Sequence, residues 1–179
     1  MTHTMKLISS FMLVCAFLVF CEGRRYGRNW DDDDPLMDAE EQEVIRQLVR
    51  HRDLINRNYN LTSAGIEAYT WSDDEEIADL LKTHVQAMKQ RVEARSPVRR
   101  RDPLFRALFD NASDLRVEVE DSRKGVRVAE SATSECGVAL VQTHAQVVSA
   151  FIKYGSQEIR ANHDIPQACS VQDTVDDAT

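Results

Sequence analysis

The feature that most constrains this chain is a stretch that occurs twice, at an ungapped offset of 60 residues. Setting Gly65 on Gly125 places Glu75 on Glu135, Leu80 on Leu140, Thr83 on Thr143, His84 on His144 and Gln86 on Gln146. Further out, Arg46 falls on Arg106 and Leu48 on Leu108, giving eight identities between residues 44–95 and 104–155. Most other aligned positions pair apolar with apolar, so the pattern reads as an internal duplication. It requires two units with one backbone plan.

Each unit reads as helix, strand, strand, helix. From Ala39, the residues Val44, Ile45, Leu48, Val49 and Ile55 recur at helical spacing. The counterpart runs through Leu104, Phe105, Leu108 and Phe109, with Asp102-Pro103 as its start signal. A hairpin follows in each unit. Ile55–Leu61 and Ile66–Trp71 flank the loop 62–65; Val117 and Val119, alternating with charges, lead through 122–125 into Val126 and Val128. Period-two alternation around a Gly-containing loop is the hairpin signature.

The last helix of the first unit begins at Ser72-Asp73-Asp74-Glu75, which reads as a capping box led by Ser72. Its stripe of Ile77, Leu81, His84, Val85, Met88 and Val92 is repeated by Val141, His144, Val148 and Ile152, and Gly155 supplies a C-cap. One hairpin alone is marginal, whereas two side by side make a sheet that helices can cover. The expected fold is therefore α+β: two tandem α-β-β-α repeats forming a four-stranded antiparallel sheet with helices packed on it. The units are related by a pseudo-twofold axis within a domain spanning 41–166.

Outside the domain, Lys6 and the apolar run from Leu7 to Phe20 read as a secretory signal over 1–23, too short for a stable membrane anchor. Residues 24–40, with Asp31 to Asp34 in a block, read as a disordered acidic leader. Ser96 to Arg101 reads as a solvated linker and 167–179 as a tail. The mature chain is thus expected to be secreted or extracytoplasmic, with no membrane span. Cys15 and Cys21 leave with the signal, so Cys136 and Cys169 are expected to form a disulfide. Asn60 and Asn111 begin N-glycosylation sequons, meaningful only in a eukaryotic source.

A net charge of −8 argues against a nucleic-acid partner. His84 and His144 are the equivalently placed histidines and lie on the apolar stripes. Two such imidazoles brought together at the axis would suit a transition metal or an axial haem position, with Met88 one turn from His84 as a soft ligand. The competing reading is a pair of part-buried histidines hydrogen-bonded to Thr83, Thr143, Gln86 or Gln146 on nearby turns. His51 and His163 read as solvated. Phosphate loops, zinc-protease motifs and nucleophile elbows are absent, and no residue is singled out as catalytic.

The segments Gly65-Ile66, Ser72 to Glu75, His84-Val85, Arg99 to Phe105, Gly125 to Val128 and His144-Ala145 resemble a group of exported bacterial proteins of unknown function. That group carries a tandem Gly-Val hairpin, an acidic helix start and a helical histidine. The resemblance implies duplication and export, and no activity. Members often carry a histidine just after the second Phe of the second unit's first helix. Phe109-Asp110-Asn111 departs from that pattern and weighs against a carried-over metal role. The sequence thus supports a secreted, non-enzymatic binding protein for a small ligand or a protein partner, with metal or haem binding by His84, Met88 and His144 as the alternative.

Overall fold

The structure, a computed structural model, describes residues 37–170. The expected signal, nearly all of the acidic leader and the end of the tail lie outside the described residues. Two units follow in order: α1 (Ala39–Arg50), β1 (Asn56–Thr62), β2 (Gly65–Trp71) and α2 (Glu75–Glu93), then α3 (Pro103–Asp110), β3 (Arg116–Ser122), β4 (Gly125–Ser131) and α4 (Glu135–Tyr154). A short α5 (Ser156–Ile159) and a 3-10 turn at Gln167–Cys169 close the described chain. The fold is α+β, with the expected four-stranded antiparallel sheet in the order β1-β2-β4-β3.

The central ladder explains how two hairpins become one sheet. Along β2 and β4, Gly65 pairs with Ser131, Ala68 with Val128 and Trp71 with Gly125. Residues related by the 60-residue offset therefore face each other at the middle of the ladder. Close approach at its ends requires glycine: a Cβ on Gly65 would sit 2.0 Å from the Glu130 carbonyl oxygen, and one on Gly125 2.1 Å from that of Thr70.

One sheet face carries the exposed Asn58, Asn60, Glu67, Glu118, Glu120 and Arg127. The other carries Ile66, Ala68, Thr70 and Val126, all buried. Alternation of side chains along each strand produces this division. The helices that cover the inner face cross over: α2 lies chiefly on β3 and β4, and α4 on β2 as well as β4 and β1. Each unit thus covers its partner's strands, which gives a physical reason for joining the two in one chain. No helix among the described residues is long and apolar enough to cross a membrane.

Local signals mostly place the ends. Asp38 caps α1 in a capping box with Glu41, and Met37 is buried, so the fold begins inside the segment read as leader. Asp102 caps α3 with Pro103 in the first turn, and Gly155 at φ 60° ends α4. The start of α2 differs from expectation. Asp74, not Ser72, is the N-cap and accepts from the backbone N–H groups of Glu76 and Ile77. Ser72 is buried instead, its N–H donating to the Lys124 carbonyl of the other hairpin.

The linker also departs from a solvated strand. Val98 is buried, and Arg99, at φ 53°, lies over the rings of Phe105 and Phe151. Its Nη1 donates to the Ile159 carbonyl at 2.8 Å and its Nη2 to Asp102 at 3.1 Å. His163, expected to be solvated, is held between carboxylates: Nδ1 lies 2.7 Å from Asp102 and Nε2 3.1 Å from Glu158. Burial pushes the Asp102 carboxyl up, but hydrogen bonds from His163 and Arg99 outweigh it and hold its pKa below the usual value. Cys136 and Cys169 are disulfide-bonded, fixing the tail beside Leu104, Leu108 and Leu140.

Candidate functional site

Between the helix layer and the inner sheet face lies a cavity of about 280 Å³. Its walls come from both units: Ile45 and Val49 of α1, Val85, Met88 and Val92 of α2, Phe105 and Phe109 of α3, Val148 and Ile152 of α4. Val117 and Val128 contribute from the sheet. The amphipathic stripes that predict the helices supply this lining, because the faces they bury do not meet completely.

His84, Met88 and His144 all line this cavity, so the three residues singled out in the sequence do converge on one place. They do so unequally. His144 Nδ1 is 3.4 Å from a Glu130 carboxylate oxygen, a partner that the sequence reading did not supply. The 60-residue offset maps Glu130 onto Thr70, so the first unit offers His84 no equivalent carboxylate. Burial pulls the His84 pKa down to about 4, the charge of Glu41 opposing and nearby His144 adding to the fall. His84 is a neutral imidazole at physiological pH. Among the described residues no group of three or more His, Cys, Asp or Glu side chains is placed to hold a metal ion.

Of the residues offered as local partners for the histidines, Thr83 and Thr143 instead return hydrogen bonds to the Asp79 and Ala139 carbonyls of their own helices. Gln86 reaches Asp121 on β3 at 3.4 Å. Of the two sequons, Asn60 is exposed on β1, whereas the Asn111 side-chain nitrogen donates to the Ala107 carbonyl at 2.8 Å.

The polar group not anticipated from sequence is Arg57. On β1 it is in phase with Tyr59 and Leu61, and so projects to the inner face, where it lines the cavity. Its Nη1 donates to Thr70 Oγ1 at 2.7 Å across the ladder, and its guanidinium lies 5.8 Å from the Tyr59 ring centre. Its Nε is buried with no hydrogen-bond partner among the described residues. Burial lowers the Arg57 pKa from its ordinary value, with Glu130 and Tyr59 opposing that fall, and the group remains charged. The signal was present in sequence as a cation at an inward position of an alternating strand. Glu130, in phase with Val126 and Val128, carried the same signal. Comparison with protein-family models, with curated proteins and with solved structures finds no match to this chain.

Proposed function

We propose that this chain is an exported, non-enzymatic binding protein whose ligand is a small, largely apolar molecule held between the helices and the sheet. The observation carrying this reading is the cavity of about 280 Å³ walled by valine, isoleucine and phenylalanine from both units. Its size lies near the lower end of ligand pockets, roughly 300–1,000 Å³, and few polar groups enter it, as such sites require. The Cys136–Cys169 disulfide suits an oxidising compartment.

The test uses the mature protein and a neutral apolar dye such as Nile red. Saturable 1:1 binding with a blue-shifted emission is expected, together with its loss in a cavity-filling Val148→Phe variant that retains the wild-type circular dichroism spectrum. Absence of saturable binding to the folded wild type would defeat the proposal.

The convergence of His84, Met88 and His144 on the same cavity favours one second reading, transition-metal or haem binding. It predicts a Soret band or stoichiometric copper or iron in the purified protein, lost in the His84→Ala, His144→Ala double variant.

A further inference from the structure

From the same cavity we infer that the ligand is a single-chain amphiphile with a carboxylate head, and that Arg57 receives the head. This deepens the apolar-ligand reading above and rests on it.

The charge within the cavity is opposite to that of the chain. Among the described residues, Arg52, Arg57, Lys89 and Arg99 line it against the single carboxylate Glu130, in a protein of net charge −8. Lys89 and Arg99 are paired locally, with Glu93 and Asp102. Glu130 lies 3.4 Å from His144 Nδ1, and its charge also acts on Arg57. Arg57 forms no salt bridge among the described residues, and its one hydrogen bond goes to a neutral hydroxyl.

A buried guanidinium with an unpartnered Nε is costly, and such groups are normally satisfied. Thr70 occupies Nη1 and thereby orients the guanidinium of a residue that lines the cavity. A guanidinium is the cation best matched to a carboxylate, because its planar N–H groups can meet both oxygens. The adjoining walls are aliphatic and aromatic, suited to a hydrocarbon tail. The asymmetry of the units gives the site one polarity. The cross-strand pair Arg57–Thr70 corresponds, 60 residues on, to Val117–Glu130. One copy thus presents a cation where the other presents a valine, so the anionic end of a ligand is drawn to the Arg57 side of the cavity; Arg52, which packs beside Gly155, adds a second cation to the lining.

The experiment compares laurate with dodecanol, matched in chain length and different in head charge, by calorimetry and by Nile red displacement on the mature protein. Variants are Arg57→Met and Arg57→Lys, with folding checked by circular dichroism. Laurate is expected to bind wild type more tightly than dodecanol does. Arg57→Met should weaken laurate by roughly 30-fold or more while leaving dodecanol within a few-fold. Arg57→Lys should recover only part of the laurate affinity, because the charge remains and the fork does not.

Equal wild-type affinities for laurate and dodecanol, or laurate binding indifferent to Arg57→Met, overturn the carboxylate inference while the apolar cavity stands. If neither compound nor Nile red binds folded wild type, the underlying reading fails with it. Should Arg57→Met not fold, the wild-type comparison and Arg57→Lys decide.

Discussion

The Asp102 carboxylate, fully buried as the N-cap of α3, lies 2.7 Å from Nδ1 of His163 at the far end of the chain. The same carboxylate takes Nη2 of Arg99 at 3.1 Å and the backbone N–H of His163 at 3.1 Å. One side chain therefore ties together the linker, the second unit and the segment that follows α5.

Removing that carboxylate leaves Arg99 and His163 without their shared acceptor and α3 without its cap. Asp102→Ala is expected to cost roughly 3 kcal/mol, the scale for breaking a buried charge pair from one side. His163→Ala should cost less, because Arg99 still holds the carboxylate. Urea unfolding monitored by circular dichroism checks both values. The pH dependence has a definite sign. A carboxyl whose folded pKa is lowered stabilises the fold above its unfolded pKa, and this contribution disappears as pH falls through the folded value. Acid unfolding of wild type should therefore include a component that Asp102→Ala lacks.

Gly65 and Gly125 make the β2–β4 contact possible. An added Cβ would stand 2.0 Å from a backbone oxygen at one and 2.1 Å at the other, distances that only movement of the paired strands relieves. Gly65→Ala and Gly125→Ala are each expected to destabilise by several kcal/mol, on the order of 3 or more, the range of severe overpacking. The double variant should not yield a folded protein. Yields of soluble protein and thermal melts distinguish this from the near-neutral change expected of an ordinary loop glycine.

The disulfide joins residues 33 positions apart and lies against the second unit's core. On the loop-entropy scale, closing a loop of that size is worth roughly 3–4 kcal/mol. Cys136→Ala with Cys169→Ala, or reduction of the wild type, should lower the unfolding midpoint by a corresponding amount. A midpoint unmoved by reductant would show that the α4 start and the tail hold together by packing alone.

His84 supplies a second pH effect, of the same direction but different origin. Its pKa falls from 6.5 to about 4 on folding because burial disfavours the cation. Between those values the unfolded chain binds more protons than the folded one, so stability rises with pH across that window and is lost as pH falls through it. His84→Met should flatten the melting-temperature profile between about pH 6.5 and 4, leaving the more acidic carboxylate component in place.

What was legible in the sequence follows from how local each determinant is. The hairpins, the Asp102-Pro103 start, the Gly155 stop and the disulfide are each written in a few neighbouring residues or in a simple pairing rule. The start of α2 is ambiguous in sequence because Ser72, Asp73 and Asp74 all qualify as caps, and what separates them is the Lys124 carbonyl on the other hairpin, which accepts from the Ser72 N–H. Arg99 reads as a solvated linker residue in sequence because its partners, Phe105, Phe151 and the Ile159 carbonyl, are assembled only by tertiary structure. The crossing of α2 and α4 onto the opposite unit's strands has no local signature at all. Of the candidate site, the two histidines and Met88 were visible as a repeated stripe. Arg57 does not stand out in apolar alternation alone, because a cation in the inward phase breaks the pattern that marks the strand.

Arg57 also tests whether that phase was kept for binding or for folding. Its Nε is buried without an acceptor among the described residues, which costs stability, while its gains are one hydrogen bond to Thr70 and contact with the Tyr59 ring. Replacement by methionine keeps the length and apolar stem, removes the desolvated charge, and leaves a hydroxyl behind. Arg57→Met should therefore be at least as stable as wild type, with a gain of about 1 kcal/mol once the Thr70 hydroxyl is also removed in Arg57→Met, Thr70→Val. Urea unfolding of the wild type, the single and the double variant measures this directly. A loss of 3 kcal/mol or more in both variants would make Arg57 a structural residue of the sheet. Retained stability with weakened laurate binding is the pattern of a group held in place at a cost to the fold because the ligand requires it.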